Sequence, residues 1–402
     1  MKIEKLCSSV IDDLSNNGRF RYMPIFGKQM PMVLDDSATL RSVTEDLEIM
    51  KFVGRRLRFG SSEMGLNVHA VASWLIFRAL ASDVQTAVIE LKEFLDDPVS
   101  HVAEILLVAG IKPTHTVKLT EDVFFGPVDD APSEFMRLRR EAIPRLKAAS
   151  LQLDPFFAAG NPDAEPECAI WRFRGIEPKW SSPELNISSA SPSNELAELA
   201  SLLTVVGPTP ASLGHQWSEA VPGTPMKDYL GRAWSMNIED TRVRGNISLT
   251  SEQTDSIPVL IEQYLNMKEF DRKKLSIPIH RLNQSVRHMD VVERAIDLGV
   301  ALESLLLSDM DEKAQLNLQF RLRGAWLLGK DGEDRVALSL KFRDIYACRS
   351  KAVHAGFVGK HPGDLEKQAK LIEDGLGLCA DAIRAIIIRG AFPDWGRLVM
   401  GL

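Results

Sequence analysis

Two charged side chains interrupt apolar helical stripes in the last third of the sequence. Glu303 shares a stripe with Ile296, Val300 and Leu307, and Arg349 lies in a second stripe. The apolar members of that second stripe are Leu338, Phe342, Ile345 and Val353. Because an unpaired charge in a core is costly, the pattern predicts that Glu303 and Arg349 meet inside a helical bundle. It is equally consistent with a structural ion pair that has no chemical role.

A polar row accompanies Arg349 on its helix. Tyr346, Ser350 and His354 follow one another at i, i+4 and i+8, a spacing that stacks side chains on one face. Gly356 is placed to end the helix in the left-handed conformation. A histidine beside an arginine suits phosphodiester chemistry, since the imidazole can move a proton from a ribose 2′-hydroxyl while the guanidinium binds the phosphate. A histidine that only interacts with the last helical carbonyls is the alternative.

The spacing of this pair does not distinguish it from others. Arg281 and His288, with six residues between them, satisfy the same loose Arg-x(4–6)-His rule. We interpret them as a chance match on an amphipathic helix. The residues that surround Arg349 are more informative than the spacing.

Three sequence blocks surround these candidates. They read AIDLGVALESLLL at 295–307, RLRGAWLLG at 321–329 and IYACRSKAVHAG at 345–356. In this order the blocks resemble the Apea-like HEPN domain, and the resemblance covers about a third of the chain, residues 274–390. Where the family commonly has glycine directly after the motif histidine, this chain has Ala355 before Gly356.

The resemblance implies an all-helical domain, and many domains of this family are metal-independent ribonucleases with an Arg-x(4–6)-His motif. It implies that Arg349 and His354 are the motif residues, with Ser350 as the polar residue after the arginine. Glu303 then matches the glutamate of the family's ALE block and orients Arg349, and Tyr346 supports the site. No metal or cofactor is required.

The function that follows from the resemblance is an endoribonuclease that cleaves RNA by 2′-hydroxyl attack. In this family the Arg-x(4–6)-His motif forms a composite site where two copies pair. The resemblance therefore implies a homodimer formed through the helical bundle. A toxin-like or antiviral-defence role is implied as well, in which the N-terminal region senses a trigger or binds a neutralising partner. The alternative is a catalytically silent HEPN module for dimerisation or RNA binding. A third interpretation is an enzyme whose catalysis is silent until a partner or trigger binds.

Hydropathy patterns divide the chain into an α+β region at residues 1–250, with two subdomains as one option, and an all-α bundle at 255–402. Residues 1–110 are predicted to be mostly helical after an irregular start that contains Pro24 and Pro31. The helices predicted within that region are 66–81 and 84–95, followed by 101–108. Further on we predict strands at 116–128 and 168–173, a loop at 181–194, a helix at 195–205 and an irregular stretch to 245. The predicted bundle helices are 257–270, 278–289, 291–307, 311–328, 335–354 and 364–389.

Composition limits the remaining function classes. The 402 residues contain 48 Lys+Arg and 55 Asp+Glu, a net charge of −7, which excludes a generally basic nucleic-acid coat but not a local basic site. Candidate local sites are the basic stretches 51–60 and 137–147, which are equally consistent with solvated faces. The sequence has no CxxC, HExxH, GxSxG, GxGxxG or GxxxxGK[ST] motif, no long apolar run and no secretory signal. We therefore expect a cytoplasmic protein that does not associate with membranes.

Overall fold

A computed structural model describes most of the chain. The described residues are 20–25, 28–33, 55–59, 62–65, 68–133, 167–181, 195–221, 233–235, 246–309, 315–358 and 361–401, with isolated positions 5, 8, 136, 223–225 and 227. The predicted loop at 181–194 lies outside these residues except for Ser181, which belongs to a strand. The basic stretch at 137–147 lies outside them too, as do 51–54 and 60 of the first basic stretch.

An antiparallel sheet forms the centre of the α+β region. The strands are β1 (Phe20–Ile25), β2 (Lys28–Val33), β3 (Arg56–Phe59), β4 (Ser62–Gly65), β5 (Ser100–Ala109), β6 (Ile111–Lys112), β7 (Val117–Lys118), β8 (Val123–Pro127), β9 (Cys168–Ile176), β10 (Trp180–Ser181), β11 (Ser212–Ala220), β12 (Ala233–Ser235) and β13 (Ile247–Ser248). Six of them form the largest sheet, in the order β12-β11-β5-β9-β8-β7. Strands β10, β3 and β4 form a smaller sheet, and β1 pairs with β2.

The described helices lie both in the α+β region and in the C-terminal part. They are α1 (Val68–Ala81), α2 (Val84–Asp96), α3 (Glu195–Leu202), α4 (Ser251–Leu265), α5 (Glu269–Arg287), α6 (Val291–Leu306), α7 (Leu316–Leu328), α8 (Gly332–Ala355), α9 (Pro362–Arg389) and α10 (Trp395–Val399). A short 3₁₀ helix, Leu203–Val206, follows α3. An α+β region followed by a helical C-terminal part is therefore confirmed.

The largest error of the sequence analysis concerns β5. Residues 101–108 were grouped with the helices, but they lie in the central strand of the sheet, hydrogen-bonded to β9 and β11. Nine of the ten residues of β5 are buried, all but His101. A strand buried on both faces reads as a continuous apolar run, so the period-2 alternation that identifies a strand is missing.

Other strands were also missed. Pro24 and Pro31 lie in the paired strands β1 and β2 rather than in an irregular start. Strand β11 falls in the stretch predicted to be irregular, and it buries polar residues that include Gln216 and Glu219. Buried polar side chains weaken the hydrophobic pattern on which the prediction of a strand depends.

The helical part follows the prediction except at its first two helices, where the break lies at 266–268, inside the helix predicted at 257–270. A helix break was expected before Pro278, but α5 runs through it. Proline has no N–H, so the Lys274 carbonyl loses its helical partner at this turn. The Pro278 ring is buried on the same face as Leu275 and Ile279, and this burial favours the continuous helix.

The sheet and the helical part share one apolar core. A single cluster of buried side chains extends from Leu106 of β5 to Ile386 of α9. The 3₁₀ helix lies between the two parts and is hydrogen-bonded from the helical side. Nδ2 of Asn283 donates to the Thr204 hydroxyl at 2.9 Å and to the Ala211 carbonyl at 2.6 Å. The domain boundary near residue 250 stays a prediction.

None of the described helices is both long enough and apolar enough to cross a membrane.

Candidate functional site

The centre of the candidate site is an ion pair between two neighbouring helices. Nη2 of Arg349 on α8 donates to Oε2 of Glu303 on α6 at 2.8 Å, so the predicted approach of these two residues is confirmed. Both side chains keep about a quarter of their surface exposed, 24% for Arg349 and 25% for Glu303. The pair therefore lies at the edge of the α6–α8 contact, where a guanidinium remains accessible to a ligand.

The depth of this pair differs from the sequence interpretation. Ile296, Val300 and Leu307, which were expected to face the core together with Glu303, are half-buried. Leu298, Leu302 and Leu305, each two positions away from one of them, are core-facing residues of α6. On α8, Val353 is exposed although it continues the Arg349 stripe. The α6 stripe therefore borders the core, whereas Leu338, Phe342 and Ile345 of the α8 stripe are buried in it.

Burial determines the ionisation of Glu303. Removal of the carboxylate from water raises the pKa of Glu303, and the charge of Arg349 lowers it by a smaller amount. The net effect is a pKa above the usual range for a glutamate. The ionised carboxylate is thus stabilised at this position mainly by Arg349.

The polar row on α8 has a mixed environment. The ring of Tyr346 packs edge-on against Phe320 of α7, with the ring centres 5.3 Å apart, so it borders the core. Ser350 is half-buried and His354 is exposed. Neither has a side-chain hydrogen bond within the described part of the chain. The structure thus brings Glu303 and Arg349 together but does not place His354 in contact with either of them.

The end of α8 explains the exposure of His354. The helix ends at Ala355, and Gly356 adopts φ +68° as expected for a left-handed terminating residue. Because Ala355 is the last helical residue, His354 belongs to the final turn. Its side chain extends into solvent beside the exposed Val353 and Phe357.

Sequence reasoning missed Gly299, which lies on α6 one helical turn before Glu303. A Cβ atom placed on Gly299 would be 2.1 Å from Cγ and 2.8 Å from Cβ of Arg349. The aliphatic part of Arg349 therefore lies directly against the backbone of α6. The sequence signal that could have identified Gly299 is a glycine in the middle of an otherwise regular helical pattern, four residues before Glu303.

The pair interpreted as a chance match has its own structural partner. Asp297, with 6% of its side chain exposed, accepts from Nη1 of Arg281 at 2.9 Å and lies 3.2 Å from Nε2 of His288. All three side chains join α5 to α6. Asp297 was absent from the sequence interpretation, although it stands two residues before Gly299 in the same block.

Other candidate groups are engaged in packing. In the described part of the basic stretch 51–60, Arg58 donates to the Glu177 carbonyl at 3.2 Å and Arg56 lies 3.6 Å from Glu63. Cys348 is buried, which raises the pKa of its thiol to about 11 and makes it a poor nucleophile. Within the described residues, no three His, Cys, Asp or Glu side chains are arranged to hold a metal ion.

Comparison with known proteins adds nothing to this geometry. No protein-family model, curated protein or solved structure matches the chain. The three sequence blocks and the arrangement of Glu303, Arg349 and His354 are therefore the basis for a functional proposal.

Proposed function

We propose that this protein is a metal-independent endoribonuclease of the HEPN type, with Arg349 and His354 as its catalytic residues. The observation that carries the proposal is the Glu303–Arg349 ion pair at a solvent-accessible edge, on the same helix as an exposed His354. Glu303 fixes one side of the guanidinium. Nη1 of Arg349 has no hydrogen-bond partner in the described part of the chain, and this end is the one proposed to bind phosphate.

The reaction needs a ribose. His354 accepts the proton of the 2′-hydroxyl and the 2′-oxygen attacks the adjacent phosphorus. The bond from phosphorus to the 5′-oxygen then breaks as His354 returns the proton to that oxygen. Arg349 stabilises the charge that develops on the phosphate oxygens. The products are a 2′,3′-cyclic phosphate and a 5′-hydroxyl end. Ser350 and Tyr346 are proposed to support the site from the same helix.

His354 and Arg349 of one chain do not touch, so a second copy is proposed to complete the site. Val336 and Leu340 are exposed apolar residues on α8, and their exposure supports pairing through this helix. We propose a homodimer in which α8 of each copy faces the other. Light scattering at micromolar concentration tests it, and a strictly monomeric protein contradicts it.

The same exposed apolar residues favour a second candidate function. In that alternative the bundle is a catalytically silent module for dimerisation or RNA binding, and the Glu303–Arg349 pair is structural. Both candidates predict a dimer. RNA cleavage, not oligomeric state, separates them.

The biological role is proposed from the resemblance alone. An RNA-cleaving domain attached to an α+β region suits a toxin-like or antiviral-defence protein, in which the α+β region responds to a trigger or a neutralising partner. The shared core between the two parts supports such a connection.

The deciding experiment is cleavage of a mixed tRNA and mRNA pool in excess EDTA. We compare the parent with His354→Ala and with the matched control His288→Ala, which removes the histidine of the other Arg/His pair. Cleavage by the parent and the control, with cyclic phosphate ends, together with loss in His354→Ala supports the proposal. Equal cleavage by all three contradicts it, and no cleavage by the parent favours the silent module.

A further inference from the structure

We propose that Gly299 is a positioning residue for Arg349, and that its missing side chain sets the direction of the guanidinium. This inference rests on the proposed function for its catalytic meaning. The geometric part of the inference depends only on the contact between α6 and α8. It assigns a role to a residue that makes no hydrogen bond through a side chain and carries no charge.

The contact is too close for any other residue. The atoms nearest to a Cβ on Gly299 all belong to Arg349, namely Cγ at 2.1 Å, Cβ at 2.8 Å and Cδ at 3.2 Å. The backbone of α8 fixes the Cβ atom of Arg349, whereas its Cγ atom moves with the side-chain rotamer. Alanine at 299 therefore requires a movement of α8 away from α6, together with a new Arg349 rotamer.

The close contact determines what the guanidinium can reach. With its stem against α6 at Gly299, Arg349 extends along that helix to Glu303, four residues further on, which lies on the same helical face. Nε of Arg349 is buried there and has no hydrogen-bond partner in the described part of the chain. Nη2 is bound to Glu303, so the Nη1 end remains to bind a phosphate oxygen.

Other glycines of the helical part provide controls. A Cβ on Gly377 of α9 would have nothing within 4 Å, so alanine there tests the general effect of replacing a helical glycine. A Cβ on Gly324 of α7 would lie 2.5 Å from the ring of Phe342, so alanine there tests overpacking of the bundle away from Arg349. Neither residue contacts the proposed catalytic groups.

The test is a double-mutant cycle of Gly299→Ala with Arg349→Ala, measured by thermal unfolding of the full chain. In the parent background Gly299→Ala is expected to lower the melting temperature. In the Arg349→Ala background the Cγ and Cδ contacts are gone and only the Cβ contact at 2.8 Å remains, so the same change is expected to lower the melting temperature by less. Gly377→Ala and Gly324→Ala are expected to have the same effect in both backgrounds. An equal decrease for Gly299→Ala in both backgrounds overturns the proposal.

The catalytic part is tested by RNA cleavage under the same conditions. Gly299→Ala is expected to lower kcat at least tenfold with KM changed less than twofold, while Gly377→Ala keeps the parental values. A Gly299→Ala protein with parental kcat overturns the positioning role. If the parent itself does not cleave RNA, the proposed function fails, and the thermal cycle still decides whether Gly299 positions Arg349.

Discussion

At the scale of a single residue, Glu303 shows which features of a site a sequence pattern can predict. The sequence pattern was enough to predict that Glu303 meets Arg349, because two charges in apolar stripes require each other. It could not predict Gly299, whose role depends on the distance between two helices. Nor could it predict the depth of the pair, because a stripe that borders the core has the same periodicity as one that faces it.

The first prediction concerns the replacement of Glu303 by Gln. Burial raises the pKa of Glu303 in the folded state, so the unfolded chain ionises first as the pH rises. The parent is therefore expected to lose stability relative to Glu303→Gln as the pH rises from about 4 through the folded-state pKa. At pH 7 we expect Glu303→Gln to be at least as stable as the parent, while RNA cleavage falls at least about tenfold.

Urea unfolding at several pH values, with cleavage assays at neutral pH, checks both halves of this prediction. Glu293→Gln, at an exposed position of the same helix, is the control and should follow the parent in both. A parent that is about 3 kcal/mol more stable than Glu303→Gln at pH 7 would show that the pair is chiefly structural.

The second prediction concerns a buried lysine of the α+β region. Lys179 is 2% exposed, and its Nζ donates to the Phe94 carbonyl and lies 3.8 Å from the centre of the Phe94 ring. Desolvation lowers its pKa to about 8, and Asp97 opposes this shift. The unfolded chain thus binds more protons between pH 8 and the usual lysine pKa, so the stability contributed by Lys179 rises with pH in that window.

We expect the parent to gain about 1–2 kcal/mol over Lys179→Met between pH 7.5 and pH 9.5. Comparison with this variant is needed because the buried thiol of Cys348, whose pKa is raised to about 11, lowers stability in the same window. That loss is common to both proteins and cancels in the difference. A pH-independent difference in unfolding free energy would show that the pKa of Lys179 is the same in the folded and the unfolded protein.

At the scale of the element, periodicity located helices far better than strands. Helix α6 was predicted to within one residue, since its apolar positions recur at helical spacing between two polar links. Strand β5 was missed because both of its faces are covered, and α5 was divided because Pro278 resembles a helix start. In each error, burial against a neighbouring element outweighed the local signal.

The third prediction tests the contact that joins two of these elements. Asp297 is buried on α6, and its carboxylate oxygens are paired with Arg281 of α5 and with His288, the residue that follows α5. Asp297→Ala removes both interactions, and Arg281 and His288 can then be solvated because they are exposed. We therefore expect a loss of about 1–3 kcal/mol, below the cost of leaving a charge buried alone. Urea unfolding measures this loss, and Asp290→Ala, which removes the N-cap of the same helix, is the control. A loss under about 0.5 kcal/mol for Asp297→Ala would contradict the prediction.

At the scale of the whole molecule, the continuous core implies one cooperative unit. The apolar cluster that includes Leu106 of the sheet also includes Leu298 of α6 and Ile386 of α9. Composition and linkers suggested a boundary near residue 250. Sequence patterns cannot show that two differently patterned regions share a core, because this depends on which faces pack together.

The fourth prediction tests that cooperativity at Asn283, which is 7% exposed on α5. Its amide binds the Thr204 hydroxyl and the Ala211 carbonyl of the α+β side, so Asn283→Ala leaves two polar groups without a partner. We expect a loss of about 1–3 kcal/mol. Because the core is shared, this loss should appear equally in the most protected amides of β5 and of α6, as measured by native-state hydrogen exchange in increasing urea. Lys273→Ala, 76% exposed on the same helix, should leave both unchanged. A loss of protection in β5 with parental protection in α6 would mean that the helical part unfolds on its own. A trigger bound to the α+β region could then affect the Arg349 site only by contacting it directly.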